Sequence, residues 1–332
     1  MQEKISQNTH FNELDIMKGI GIWLVVIGHL KPVSYTETLI YSVHMFLFFF
    51  CSGFLGNRYK ERSFGIMLWG NMKRLLFPYL VWGILSQGLE LCLGYQTWEQ
   101  AVKRFFFVGK WVGWNAPLWF LIVLFWIEII GYVAVRANIF VKFALMVVSA
   151  VAWYLISVNK VVLWFGLGIV PIGLFFWLLG LVVSEVYQKI LFDNWKRYIL
   201  LASLFVIWIL LGVVFNKGIS VYHNIYSNYP FTLIAGCAGT VFLLLFSREI
   251  LRERHISSFI QVYGRNTLFI LCSHHFFLRL LKHYSVLWWG RNLWYEKGTI
   301  KALLIGTALM LLYLLILYLI RPLKKGFVRY LV

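Results

Sequence analysis

The stretch from Asp15 to Leu30, D-I-M-K-G-I-G-I-W-L-V-V-I-G-H-L, combines a long apolar run with two ionisable side chains, Lys18 and His29. Its composition predicts a membrane-spanning helix. The eleven steps of about 100° from Lys18 to His29 end within roughly 20° of the starting direction. The two side chains are therefore expected on one stripe of the helix, about 16 Å apart along its axis. Because ionisable groups are costly in a membrane, this stripe suits an extended substrate better than lipid.

The composition of the whole chain predicts an all-α polytopic membrane protein. The 332 residues are 61% hydrophobic and 13% charged, and their mean hydropathy is +0.76. Soluble globular domains do not have this composition. We predict a single integral membrane domain over residues 1–332. It has about ten transmembrane helices, at 15–33, 38–56, 75–95, 117–135, 140–157, 163–184, 198–215, 230–247, 267–286 and 300–320.

The distribution of charge predicts that both termini are cytoplasmic. The formal net charge is +18, and the basic residues lie in short connections, a pattern typical of membrane topology rather than of nucleic-acid binding. Residues 1–14 then form a short cytoplasmic segment and residues 321–332 a basic cytoplasmic tail. In this orientation Lys18 faces the cytoplasm and His29 lies towards the outer leaflet. The positive-inside rule assigns the more basic connections to the cytoplasm. These are 57–74, 136–142, 189–197, 248–265 and 321–329.

Several polar residues inside apolar spans are candidates for a functional site. His29 is the candidate general base, because a neutral imidazole can accept a proton near neutral pH. Asp15 lies three residues before Lys18, a spacing that permits an ion pair. We expect each membrane carboxylate to bind an acceptor hydroxyl or to pair with a buried cation such as Arg279. The remaining candidates are His44, Glu90, Glu128 and His274.

Three other features have alternative interpretations. Lys73 and Arg74 precede the third predicted span, where they either bind phosphate groups or only orient the helix. His274 and His275 point about 100° apart, so at most one is expected to line a cavity. Without regular ligand spacing, these histidines and the four cysteines predict no metal site and no disulfide framework. The tryptophan-rich connections at 96–116 and 287–299 form either an interfacial belt or a platform for sugar rings.

Five ordered motifs extend over nearly the whole chain. They are the Lys18 and His29 pair with its ten-residue gap, H-M-F-L-F-F-F-C-S-G-F-L at His44, K-R-L-L-F-P-Y-L at Lys73, A-P-L-W-F-L with Trp119, and G-R-N-T-L-F-I-L-C-S-H at Gly264. Together they resemble the acyltransferase 3 family of integral membrane acyltransferases. Within it, the chain is similar to fucose 4-O-acetylase-like or surface-polysaccharide O-acetyltransferases. The family's usual first basic residue is arginine, whereas Lys18 can hold a phosphate only as a point charge.

The resemblance implies an enzyme of the cell (inner) membrane that uses acyl-CoA, with acetyl-CoA as the expected donor. The acetyl or similar short acyl group, succinyl included, would pass to a hydroxyl of a cell-surface or lipid-linked carbohydrate. It implies that His29, Lys18 and Asp15 form the catalytic group, and that Lys18, Lys73 and Arg74 bind the donor. Direct attack on the thioester and a transient acetyl-histidine are both open. The implied acceptor-binding residues are His44, Glu90, Glu128, Trp119 and His274.

A carrier or flippase for a polysaccharide or lipid-linked sugar is the competing class of function. It predicts a polar path through several spans and no dependence on coenzyme A, whereas the membrane carboxylates here are few. A partner-dependent subunit of a polysaccharide machine is a third interpretation. An oligomer is possible in each of these cases.

Overall fold

The computed structural model confirms an all-α polytopic architecture with almost no strand. It describes residues 11–106, 113–190, 195–290 and 298–320. The described α helices are α1 (Asn12–Gly28), α2 (Ser34–Tyr41), α3 (His44–Phe54), α4 (Phe64–Asn71), α5 (Phe77–Cys92), α6 (Trp98–Phe106), α7 (Trp119–Ala134), α8 (Ile139–Val158), α9 (Val170–Ile190), α10 (Trp195–Ile209), α11 (Tyr229–Leu251), α12 (Arg254–Arg265), α13 (Thr267–Trp289) and α14 (Thr299–Leu319).

Short irregular segments connect or interrupt these helices. The 3-10 turns are Gly56–Tyr59, Gly113–Leu118 and Trp164–Gly166, and the π-helical turns are Met72–Leu76 and Leu210–Val214. Two short strands, β1 (Ile219–Ser220) and β2 (Ile225–Tyr226), pair in an antiparallel hairpin.

Eight helical segments in the described part of the chain are long and apolar enough to cross a membrane. They coincide with eight of the predicted spans. The predicted spans 15–33 and 267–286 correspond to α1, which has only 17 residues, and to α13. His29 directly follows α1 as its C-cap, and α13 carries His274 and His275. The predicted tail 321–332 and residues 1–10 of the predicted N-terminal segment lie outside the described residues, and the cytoplasmic location of the termini stays a prediction.

Two predicted spans have different boundaries in the structure. The span predicted at 38–56 is divided into α2 and α3, because Val43 leaves the helical region with φ −140° and ψ −33°. This break makes His44 the first residue of α3. The helix predicted to begin at 75 begins at Phe64 and continues to Cys92 through the π-helical turn. Lys73 and Arg74 therefore lie within a helix, and the prediction that they precede it is wrong.

Helix α1 lies at the centre of the bundle. Ile16, Met17, Ile22 and Val26 are fully buried, and the helix contacts α3, α11, α12, α13 and α14. A helix that is buried on all sides needs apolar residues around its whole circumference, which explains its weak amphipathicity. The central position lets the two ends of α1 reach opposite ends of the bundle.

Close packing against α9 fixes the position of α3. A Cβ atom at Gly180 would collide with the carbonyl oxygen of Phe50, so the two backbones approach as closely as small residues permit. The rings of Phe46 and Phe176 stack with their centroids 4.2 Å apart. The packing holds α3 along its length, with His44 at one end and Ser52 near the other.

Candidate active site

His29 lies in a cavity of about 850 Å³ at one end of the bundle. We call it the histidine cavity. Its wall includes residues of α2, α3, α5, α6 and α13, the C-terminal end of α1, the 113–118 segment and the β1–β2 hairpin. The lining side chains that matter for chemistry are His29, His44, His275, Glu90, Trp119 and Arg279.

The helical conformation of α1 extends as far as His29. His29 is the C-cap of the helix with φ −78° and ψ −8°, and its N–H donates to the carbonyl oxygen of Val25 at 3.2 Å. Because the helical turn continues to this residue, Lys18 and His29 keep the predicted angular relation around the axis of α1. The imidazole of His29 lies beside two other histidine rings, with centroids 5.2 Å from His274 and 4.8 Å from His275.

Three neighbouring histidines have one ring nitrogen fixed by a backbone carbonyl. Nδ1–H of His44 donates to Ile40 O at 2.9 Å, and Nδ1–H of His274 donates to Ile270 O at 2.8 Å. His275 donates in the same way to a carbonyl of the 113–118 segment. A carbonyl only accepts, so each neutral ring keeps its lone pair on Nε2. Nε2 of His274 is buried without a hydrogen-bond partner, beside His29.

The segment Gly113–Leu118 links two walls of the histidine cavity. The Trp114 N–H donates to the carboxylate of Glu90, while the Trp114 carbonyl accepts from His275. Next to it, the Asn115 side chain donates to Cys272 O at 2.7 Å. One irregular turn thus positions a carboxylate of α5 and an imidazole of α13 on the same cavity.

Glu90 pairs with Arg104 across the histidine cavity. Arg104 Nη1 lies 2.6 Å from Glu90 Oε2, and Glu90 is almost completely buried. The sequence predicted a buried cation such as Arg279 for this carboxylate; the direct ion pair is made by Arg104, and the charge of Arg279 acts on Glu90 at longer range. A helix of modest length, α6, supplies the arginine instead.

A second cavity, of about 180 Å³, lies beside the other end of α1. We call it the basic cavity, because Lys18, Arg58 and Arg74 line it together with Ser52. Leu271 of α13 lines both this cavity and the histidine cavity. A single side chain layer therefore separates the two spaces at that point.

The expected ion pair between Asp15 and Lys18 is present, with 2.8 Å between Oδ1 and Nζ. The second carboxylate oxygen of Asp15 lies 3.0 Å from Nε of Arg265, a residue whose position in the G-R-N-T motif was noted without a role. A Cβ atom at Gly264 would overlap the carbonyl oxygen of Asp15. Glycine therefore allows α12 to approach α1 closely enough for this contact.

Glu128 lies at the basic cavity end and not in the histidine cavity. Its fully buried carboxylate is 3.0 Å from Arg74 and 3.7 Å from Arg58, and it also accepts from the Ser52 hydroxyl. Lys73 instead places its ammonium over the ring of Trp69, 4.6 Å from the centroid, and does not line the basic cavity.

One known protein family matches this chain. The model of the acyltransferase 3 family, described as an acyltransferase domain, matches residues 11–322. The chain belongs to this family. It is therefore a multi-pass membrane acyltransferase, as its apolar helices and motifs predicted. No curated protein and no solved structure gave a match.

In this acyltransferase the structure divides the predicted site residues between two places. His44, Glu90 and Trp119 share the histidine cavity with His29, whereas Lys18, Asp15, Arg74 and Glu128 gather at the basic cavity. The His274 ring packs against the His29 ring without lining the cavity, whereas its neighbour His275 lines the cavity. Among the described residues, no group of three or more histidine, cysteine or acidic side chains is arranged to hold a metal ion.

Sequence reasoning in this acyltransferase missed four arginines. Arg58 lies in a connection used only to predict membrane orientation, and Arg104 lies in the 96–116 connection, considered only for its tryptophans. Arg265 stands in a quoted motif, which was the available signal for it. Arg279 was considered only as a partner for a carboxylate. Residues 107–112 and 291–297 of the tryptophan-rich connections lie outside the described residues.

Proposed function

We propose that this protein is an O-acyltransferase that moves an acetyl or similar short acyl group from acyl-CoA to a hydroxyl of a cell-surface or lipid-linked carbohydrate. The observation that carries the proposal is the position of α1 between the two cavities. Its Lys18 end lines a cationic cavity, and its His29 end lines a larger cavity with several imidazoles. Donor and acceptor can thus approach one reacting centre from opposite ends of the bundle.

The donor would bind with its phosphate groups at the basic cavity. Lys18, Arg58 and Arg74 offer three cationic side chains there, and the two arginines can contact phosphate oxygens through two N–H groups each. Asp15 and Glu128 hold these cations in place through the ion pairs described above. The pantetheine arm would then extend along α1 for about 16 Å and bring its thioester past Leu271 to His29.

The acceptor hydroxyl would enter the histidine cavity. His29 takes the hydroxyl proton while the hydroxyl oxygen attacks the thioester carbonyl carbon. The carbon–sulfur bond then breaks, and the coenzyme A thiolate takes the proton back from the imidazolium of His29. His274 would orient the His29 ring, while Glu90 and His44 would hold the sugar. The ring of Trp119, which packs 6.2 Å from that of Tyr222, would support one sugar face.

Replacement of the proposed base tests this function directly. Purified protein in liposomes is given labelled acetyl-CoA and a panel of oligosaccharides, and labelled glycan is measured. The variant His29→Ala should retain acetyl-CoA binding and lose transfer by about 100-fold or more, because general-base catalysis typically contributes that much. The matched control His255→Ala replaces an exposed histidine of α12 and should transfer normally.

Two results would contradict the proposed function. Normal transfer by a folded His29→Ala variant would remove the base from the mechanism. A wild-type protein that binds no acetyl-CoA would exclude the donor and would favour the carrier interpretation.

A further inference from the structure

Arg279 places a positive charge in the histidine cavity, and its guanidinium has no carboxylate of the described residues in direct contact. It lies four residues beyond His275 on α13, so the two side chains project from one face of the helix, and both line the cavity. Arg104 is bound to Glu90 at 2.6 Å. By contrast, no acidic side chain of the described chain lies within ion-pair distance of Arg279.

The charge of Glu90 also acts on Arg279 at longer range, but its carboxylate is already bound to Arg104. Glu37 of α2 is the second lining carboxylate, and it too makes no ion pair with Arg279 among the described residues. Lys217 is an exposed third cation at the hairpin. A half-buried guanidinium without an anion in direct contact is costly unless water or a ligand satisfies its N–H groups. The charges that line the cavity therefore favour the binding of one additional anionic group, supplied by a ligand.

The chemistry of arginine defines what that group would be. Its planar guanidinium offers five N–H donors, and its fork matches the paired oxygens of a carboxylate or a phosphate. Four helical residues correspond to a rise of about 6 Å. This distance is comparable to the length of one sugar residue, so an anion at Arg279 can belong to the same sugar that places a hydroxyl near His29 and His275.

We propose that Arg279 binds a carboxylate or phosphate group of the acceptor, and hence that the acceptor is an anionic carbohydrate. The inference rests on the proposed function, because it identifies the histidine cavity as the acceptor site. It assigns Arg279 to acceptor recognition rather than to the reacting atoms.

Binding measurements test the proposal without catalysis. Calorimetry on purified protein compares three disaccharides of equal size: one with a glucuronate, one with a sugar phosphate, and a neutral one. We expect at least one anionic disaccharide to bind about tenfold or more tightly than the neutral one, a ratio typical of charge-assisted hydrogen bonds. Comparing the glucuronate with the sugar phosphate shows whether Arg279 binds a carboxylate or a phosphate group.

Variants then assign the preference to one side chain. Arg279→Gln should remove the preference for the anionic disaccharide, and Arg279→Lys should keep part of it, because lysine retains the charge but not the fork. The matched control is Lys103→Gln, since Lys103 is an exposed cation of α6 that pairs with Glu99 and does not line the cavity. Lys103→Gln should bind as wild type does.

Three outcomes would overturn the proposal: equal binding of neutral and anionic disaccharides, an unchanged preference in Arg279→Gln, or a loss of kcat for neutral and anionic acceptors alike with unchanged binding. The last outcome would assign Arg279 to the transition state. A parallel transfer assay with labelled acetyl-CoA tests the proposed acyltransferase function separately from anion binding by Arg279. Selective anion binding without any acetyl transfer would contradict the proposed function while supporting anion recognition by Arg279.

Discussion

At the scale of single residues, buried carboxylates hold the arginines that would meet the substrates. Glu128 is fully buried and binds Arg74 and Arg58. In the other cavity Glu90 has the same relation to Arg104. Each carboxylate offsets part of the cost of desolvating a guanidinium and fixes its direction. For this reason we interpret Glu128 as a support of the proposed donor site.

Removing the charge of Glu128 should destabilise the protein. Glu128→Gln leaves Arg74 and Arg58 without a carboxylate in a partly buried position, with an expected loss of about 2 kcal/mol of folding free energy. The apparent melting temperature in detergent measures the effect. Glu99→Gln is the control, because its pair with Lys103 is exposed and such pairs contribute less than about 1 kcal/mol. Equal melting temperatures for the two variants would contradict the structural role of Glu128.

At the scale of secondary-structure elements, the β1–β2 hairpin is the non-helical part of the histidine cavity wall. Ile219, Val221, Tyr222 and His223 from the hairpin line the cavity, and Val221 is buried. A two-stranded hairpin has little stability by itself. Its closed position therefore depends on the contacts of these few side chains with the helices beneath it.

The hairpin should become less stable in acid because of His223. The His223 side chain is exposed overall, but partial desolvation lowers its pKa below the ordinary value of 6.5. As the pH falls through that value, an opened hairpin takes up the proton before the closed one does. The stability contributed by the neutral imidazole is thus complete above pH 6.5 and is lost as the pH falls towards the lowered pKa.

Hydrogen exchange of residues 219–226 measures this opening. Wild type should exchange faster than His223→Gln at about pH 5, and the two should exchange alike at about pH 7.5. Comparison at equal pH removes the intrinsic pH dependence of exchange. The same difference between the proteins at both pH values would exclude titration of His223 as the cause.

At the scale of the whole molecule, the bundle separates two cavities that the proposed reaction must connect. Leu271 is almost fully buried and lines both of them. The thioester therefore has to pass this side chain to reach His29. Helix α13 contributes Leu271, His275 and Arg279, so one helix borders both the proposed donor path and the acceptor site.

Enlarging the side chain at this position should block the reaction. Leu271→Trp is expected to reduce acetyl transfer about tenfold or more by keeping the thioester from its reactive position, while acetyl-CoA still binds at the basic cavity. Transfer and donor binding are measured on the same preparation. The control Leu281→Trp changes an exposed position of the same helix and should be active. Full activity of Leu271→Trp would show that the acyl group takes another route.

Local sequence patterns determined most of the helices and part of the site. Apolar runs of sufficient length predicted the spans, since burial in lipid requires each of them to satisfy its own backbone hydrogen bonds. The helical period also predicted the relation between Lys18 and His29, which depends only on geometry within α1. The break before His44 and the early start at Phe64 were not predictable in this way, because hydropathy averages over such irregular turns.

The tertiary structure alone decided which charged groups from distant parts of the chain meet. Arg265 binds Asp15 from 250 positions away in the chain, and Arg74 binds Glu128 from 54 positions away. These contacts depend on how α12 packs on α1 and how α7 packs on the 64–92 helix. The direction of each side chain follows from its own helix and is therefore a local property. Its partner, by contrast, is determined by close packing between distant segments. The sequence alone therefore predicted a membrane acyltransferase with His29 as its candidate base, and the fold decided which arginines and which other imidazoles surround that residue.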